Sequence, residues 1–153
     1  MLTLVVNFSR ESLAIRAGKQ LAGDNVVQTV DGVVKLQKAK PASIRVDNGP
    51  EFISMSLALW AYCNAAKRDL SRLGKLTDSV FVESFNGKFR VEFQNEHWFM
   101  SLDEARRVFD LWRYDYNRYR PHSSLGNRSP GEFGVFSASV ASVENSATQT
   151  LAL

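Results

Sequence analysis

The chain has 153 residues, 44% of them hydrophobic and including ten Phe and three Trp, which suits one domain burying about 68–70% of its unfolded surface. No apolar run approaches the roughly 20 residues that span a bilayer, Met1–Val6 is too short for a secretory signal and lacks a basic start, and the lone cysteine, Cys63, excludes an internal disulfide. A cytoplasmic protein that does not enter a membrane is the expectation, and its net charge of +3 hides an uneven spread: eight Lys/Arg against three acids between Lys35 and Lys75, which favours a polyanionic partner.

In chain order, Leu2 to Phe8 reads as a strand, Ser9-Arg10-Glu11 as a turn, and Ser12 to Arg16 as a second strand paired to the first. Asp24 suits the N-cap of a helix with Val26, Val27, Val30, Val33 and Val34 on one face and Lys35 and Lys38 in its last turn. Valine is a poor helix former, so burial must carry this segment. Pro41 leads into an apolar strand, Ala42 to Val46, broken by Asn48-Gly49-Pro50. A helix follows from about Glu51 to Ala66, with Phe52, Met55, Leu59 and Cys63 as its expected inner stripe. Strands and helices in this alternation predict a layered α/β domain.

Lys67 to Ser79 reads as a loop or short strand, with Thr77, Asp78 and Ser79 as alternative caps for the next helix. There Val82, Phe85, Phe89 and Phe93 recur at helical spacing, beside a polar stripe of Glu83, Gly87 and Arg90. Ser101-Leu-Asp-Glu104 is a capping box. It opens a helix whose Leu102, Ala105, Phe109, Trp112, Tyr116 and Tyr119 read as core rather than as a base-stacking platform. Pro121 stops that helix near Arg120. From Gly134 to Leu153 the composition turns to Ser, Ala, Val and Thr with Glu144 as its one charge, and a poorly ordered tail is predicted.

Two carboxylates stand out. Asp47 follows an apolar strand and Glu83 lies beside a buried helix face, with 35 residues between them. Carboxylates ~4 Å apart repel by roughly 4 kcal/mol at an effective dielectric of 20; a divalent cation offsets that, and Mg²⁺ takes oxygen ligands. His97 and His122 are too far apart for a zinc motif, and Gly-rich nucleotide loops and Ser/His/Asp signatures are absent.

The motifs Arg45-Val-Asp-Asn-Gly-Pro-Glu-Phe52, Val82-Glu-Ser-Phe-Asn-Gly-Lys-Phe-Arg90, Trp112-Arg-Tyr-Asp-Tyr-Asn-Arg-Tyr-Arg-Pro-His-Ser-Ser-Leu125 and Ser129-Pro-Gly-Glu-Phe133 resemble the catalytic core of retroviral-integrase-like (DDE) transposases of bacterial copy-and-paste insertion sequences. The resemblance covers Leu2 to Phe133, so residues 1–133 are read as a partial core domain and 134–153 as the tail. It implies an RNase H-like α/β fold, a mixed five-stranded sheet flanked by helices. It also implies two Asp and one Glu holding Mg²⁺ or Mn²⁺ for cleavage and strand transfer during DNA transposition and integration. Asp47 matches the second Asp and Glu83 the Glu; Lys75, Asn86, Lys88 and Arg90 are expected to meet DNA. The implied partners are DNA, both transposon ends and target, and other transposase protomers, in association with the nucleoid.

The family's first strand and its Asp have no counterpart here. Leu73-Gly-Lys-Leu-Thr77 stands where the family shows Pro-Gly-Lys-Pro-Thr, with Ser79 in place of an Asn. The expectation is therefore a core fragment that does not cut or join DNA unaided, or else a non-catalytic DNA-binding or transposase-interacting regulatory fragment.

Overall fold

A computed structural model describes residues 1–18, 21–46, 54–70, 76–94, 99–141 and 150–152. Strand β1 (Leu2–Val6) is buried along its whole length. Its alternation sends Leu2, Leu4 and Val6 into one core and Val5 into another on the opposite face. It pairs antiparallel with β2 (Ser12–Arg16), and the register slips between Leu4 and Val5 so that Leu13 has no partner residue. The remaining elements are α1 (Gly23–Gln37), β3 (Ser43–Val46), α2 (Met55–Cys63), β4 (Lys67–Leu70), α3 (Leu76–Gln94), α4 (Leu102–Tyr119), a short 3₁₀ turn (Ser123–Leu125), α5 (Pro130–Ala141) and β5 (Thr150–Ala152). The five strands form one mixed sheet in the order β2-β1-β5-β3-β4. In it β1 runs antiparallel to β2 and β5, whereas β3 runs parallel to β4 and β5.

The layer of α1 and α2 is mostly aliphatic. Val26, Val30 and Val33 of α1 meet Leu2, Leu4, Val6, Ile44 and Val46 of the sheet and Leu57 and Trp60 of α2. Burial does carry the valine-rich helix. Asp24, however, is not its N-cap: Ala22 holds that place without a side-chain bond. Asp24 sits in the first turn, where its charge suits the helix dipole, and accepts a 2.6 Å hydrogen bond from the Ser56 hydroxyl of α2.

Helix α2 is rotated from the sequence reading. Its inward residues are Leu57, Trp60 and Ala61, while Met55 is 82% and Leu59 60% exposed and Cys63 also lies on the surface; Phe52 is outside the described residues. The segment is apolar nearly all round, so spacing could not choose a face. Two polar contacts do. Ser54 caps the helix by accepting from the Leu57 N–H at 3.3 Å, and the Trp60 indole N–H donates to Asp31 of α1 at 3.0 Å.

The other layer is aromatic. Phe85, Phe89 and Phe93 of α3 interlock with Phe109, Trp112 and Tyr116 of α4 beneath Val5 and Ile15. Phe89 meets Trp112 edge-to-face at 4.9 Å and Phe109 at 4.8 Å, and Phe85 meets Tyr116 at 5.0 Å. Helix α3 starts at Leu76, so Thr77, Asp78 and Ser79 all lie within it rather than capping it. In α4 the aromatic stripe is core as expected, apart from Leu102 and Tyr119, which are exposed. Ser101 caps α4 by accepting from the Glu104 N–H, and Glu104 reaches back to the Met100 N–H.

The region read as a tail carries two elements. Helix α5 continues through Ala141, and Thr150–Ala152 pairs as β5 in the centre of the sheet. The missed signal was Ser129-Pro-Gly-Glu132, a second capping box. Ser129 Oγ accepts from the Glu132 N–H at 3.3 Å, and the Glu132 carboxylate accepts from the Ser129 N–H at 3.0 Å. Gly131 lets α5 start close to α4, because a Cβ there would stand 3.0 Å from the Asn117 carbonyl oxygen and would have to push it back by a few tenths of an ångström.

Candidate functional site

Glu83 lies in the first half of α3, and its position follows from the phenylalanines. With Phe85, Phe89 and Phe93 buried, Glu83, Gly87, Lys88 and Arg90 are carried to solvent. The polar stripe read from the sequence is therefore an exposed ridge. Gly87 has open space around its Cα, so no internal contact demands a glycine there; it leaves the ridge low between Glu83 and Arg90.

The same helix is fixed to the sheet beside this ridge. The Thr3 hydroxyl donates to Asn86 Oδ1 at 3.0 Å. Asn86, expected to meet DNA, is thus half-buried and bonded to β1, on the sheet face that carries Val5. In β3, Ile44 and Val46 belong to the opposite, aliphatic core. Alternation leaves Ser43 and Arg45 on the face covered by α3 and α4. Arg45 forms a 3.2 Å ion pair with Asp69, its neighbour in β4. Asp47 and Lys75 lie outside the described residues. Among those described, no three His, Cys, Asp or Glu side chains cluster to hold a metal; the carboxylate on the α3 ridge is Glu83.

Lys88 borders a polar cleft of about 390 Å³ between α3 and the segment after α4, with Ser84, His122, Ser123 and Asn127 on its walls. His122 packs edge-on against Tyr116 at 5.0 Å and its backbone bridges to Arg128. Burial, and then the positive charges of Lys88, Arg10 and Arg120, hold its pKa below the ordinary histidine value. Its edge-on contact with Tyr116 and its backbone bridge give His122 a local packing role.

Sequence reasoning missed the residues that hold α3 in place. Arg120 grips Glu92 of α3 with both guanidinium nitrogens, the longer bond being 2.8 Å, and reaches Asp115 through Nε at 2.7 Å. It also lies over the Trp112 ring, 5.0 Å from its centre, while the Trp112 indole N–H donates to Glu92. Hydrogen bonds from Arg120 first, opposed by burial, and then from Trp112 hold the Glu92 carboxyl below its usual range. Glu92 and Arg120 are 28 positions apart, and no local spacing marks such a pair.

The second missed contact closes the β2 irregularity. Asn117 accepts from the Ser12 N–H at 2.8 Å and donates to the Ser12 carbonyl at 2.9 Å, while Arg113 donates to the Leu13 carbonyl at 3.2 Å. In this way α4 satisfies backbone groups at the slipped register. The Trp112–Leu125 motif is therefore a clamp that joins β2, α3 and α4.

A mixed five-stranded sheet with a carboxylate-bearing helix packed on its β1 and β2 side has the RNase H-like fold of an integrase core. Residues 1–75 and 65–130 each match the family described as Integrase core domain. This chain belongs to that integrase-core family, the two matches together running over residues 1–130.

The chain is 43% identical over 134 residues to the insertion element IS407 uncharacterized 31.7 kDa protein of Burkholderia multivorans, an alignment covering 88% of this chain and 48% of that protein. It is 28% identical over 123 residues to transposase InsF for insertion sequence IS3A of Escherichia coli, covering 80% of this chain and 42% of that protein. It thus spans about half or less of the length of these relatives. Among solved structures, the catalytic core domain of BIV integrase superposes with a TM-score of 0.67 at 15% identity, covering 90% of this chain and 86% of that one. The HTLV-2 integrase catalytic core domain in complex with magnesium gives 0.60 at 17%, covering 85% and 81%. At such identities these two likenesses speak for the fold.

Proposed function

We propose that this domain serves metal-dependent cleavage and transfer of DNA strands in transposition, with Asp47 and Glu83 as ligands of Mg²⁺ or Mn²⁺. The observation that carries this reading is the exposure of Glu83 on a helix whose Phe85, Phe89 and Phe93 are buried and which is bonded to β1 through Asn86. Two carboxylate oxygens approaching one point repel in the absence of a cation, and hard oxygen donors suit Mg²⁺. The metal's chemistry is to activate the attacking oxygen and steady the leaving one. Solved relatives in complex with magnesium make the same ion the natural choice.

Lys88 and Arg90 flank Glu83 on the exposed ridge and suit phosphate contacts from the DNA backbone; Lys75 belongs to the same proposal. Asn86 acts instead by positioning α3. DNA and further transposase protomers are the proposed partners, and the cytoplasm and nucleoid the proposed location. No helix among the described residues is long and apolar enough to cross a membrane.

Two acids make an incomplete site, because β5, which holds the centre of the sheet, offers only Thr150, Leu151 and Ala152. That favours a second reading, in which the chain binds DNA without turning it over. Mn²⁺ binding followed by paramagnetic relaxation tests the metal reading independently of activity. Binding by the chain, lost in Asp47→Asn and in Glu83→Gln, is expected; equal binding by all three proteins defeats the assignment. A supercoiled-DNA assay with Mg²⁺ or Mn²⁺ then separates the two readings. Nicking that vanishes in both variants establishes turnover, whereas salt-sensitive DNA binding without nicking establishes the non-catalytic role.

A further inference from the structure

Two clefts of the molecule have charged walls, and they differ in balance. The larger, between α4 and α5, sets Arg113 and Arg118 against Glu11 and Glu132. The smaller is the polar cleft of about 390 Å³ between α3 and the turn after α4, and among the described residues no carboxylate lines it.

Positive charge reaches this smaller cleft from two sides. Lys88 forms no ion pair among the described residues, although Glu92 lies one turn further along α3 and feels its charge. Arg10 donates to a neutral group, Asn7 Oδ1, at 3.1 Å, and lies 4.2 Å from the centre of the Phe81 ring, which is part of the α3 wall. Arg120 differs, being engaged by Glu92 and Asp115. His122 in the opposite wall feels all three cations.

The cleft also holds an unused donor. Tyr116 lines it and is only 2% exposed, yet its hydroxyl bonds no other described residue. Buried tyrosine hydroxyls generally find a partner. Burial raises the Tyr116 pKa, so the phenol keeps its proton and can donate. Ser84, Ser123 and Asn127 add hydroxyl and amide groups around the rim. An ammonium, a phenol, an imidazole and small polar side chains, with no acid among them, suit an oxyanion with several acceptor oxygens.

We propose that this cleft takes a phosphate group of a DNA strand, held by Lys88, His122 and the Tyr116 hydroxyl. The inference rests on the reading that DNA lies along the α3 ridge, and it gives the strand a second anchoring point, since Ser84 of the cleft wall adjoins Glu83 in the chain. A 5′-terminal phosphate and a backbone phosphodiester present the same oxygens, and the test separates them.

The test follows the His122 ring by NMR in the full chain, its signal assigned through His122→Gln, with EDTA present so that no metal ion contributes. Inorganic phosphate at constant ionic strength is the first probe. The His122 pKa should rise by about half a unit or more as phosphate saturates, because an anion then offsets the surrounding cations. Lys88→Gln should weaken phosphate binding about fivefold or more, and so should Tyr116→Phe, which keeps the ring and its packing. The second probe is a short single-stranded oligonucleotide with or without a 5′-phosphate. Tighter binding of the phosphorylated form supports a terminal phosphate in the cleft, and equal binding that both substitutions weaken supports a backbone one. An unmoved His122 signal overturns the proposal, as does a response of the same size in both variants, which marks only a diffuse positive surface. Phosphate binding without oligonucleotide binding overturns the assignment to DNA. The metal reading fails separately, through Mn²⁺ binding that survives Asp47→Asn and Glu83→Gln.

Discussion

On one side of the sheet, α1 and α2 bury Val, Leu and Ile around a single Trp; on the other, α3 and α4 bury three Phe against Phe109, Trp112 and Tyr116. The aliphatic layer is held by shape and two helix-to-helix bonds, Ser56 to Asp24 and Trp60 to Asp31. The aromatic layer adds edge-to-face ring contacts, the Glu92–Trp112–Arg120–Asp115 network and the Asn117 and Arg113 bonds to β2. The helix that carries Glu83 lies on that second side. An exposed carboxylate can be kept in a fixed place only if the rest of its helix does not move, and rings with bidentate polar clamps resist sliding better than valines do. The aromatic layer and the candidate carboxylate therefore share one helix, α3.

The contrast can be broken in steps. Phe89→Ala removes the ring at the centre of the aromatic layer and should cost about 3–5 kcal/mol in urea unfolding. On the aliphatic side Leu57→Ala should cost about 2–5 kcal/mol, whereas Leu59→Ala should stay within about 0.5 kcal/mol; the reverse order would restore the α2 face read from the sequence.

Next comes the Arg120 clamp. Both partners are more than a third exposed, so solvent screening keeps the pair to about 0.2–1 kcal/mol in a double-mutant cycle. Its pH dependence has a definite sign. The Glu92 pKa is lowered in the folded chain, so its contribution is present above the ordinary carboxylate range and is lost as pH falls through the depressed value. His122, also lowered, acts in the same direction: the unfolded chain takes up that proton first, and stability declines below about pH 6.5. Thermal midpoints of Glu92→Gln should consequently fall less steeply with acid than those of the parent. Ser101→Ala and Ser129→Ala should each cost about 1 kcal/mol by loss of a cap. The smallest effect on stability is expected from Glu83→Gln, whose side chain meets solvent, although that substitution should abolish Mn²⁺ binding.

Legibility followed the strength of local pattern. Phe85, Phe89 and Phe93 announced both a buried face and an exposed Glu83, because three large rings at helical spacing leave one orientation open. Helix α2 offered apolar residues on every side, and only Ser54 and the Trp60–Asp31 bond chose between them. Asn86 lay beside the polar stripe, yet its amide bonds Thr3, 83 positions away. The region after Phe133 looked featureless because its ordering residues, Ser129 and Glu132, come before it.

By itself the sequence determined the alternation of strands and helices, the buried faces of α1, α3 and α4, and the pair of acids at a strand end and on a helix. These depend on periodicity and on residue chemistry, which are local. Only the tertiary structure decided that Arg120 would hold Glu92, that Asn117 would mend the slipped edge of β2, and that residues 150–152 would enter the sheet between β1 and β3. Those outcomes arise from backbone groups and charged side chains finding partners across the fold, a requirement that no short stretch of sequence records.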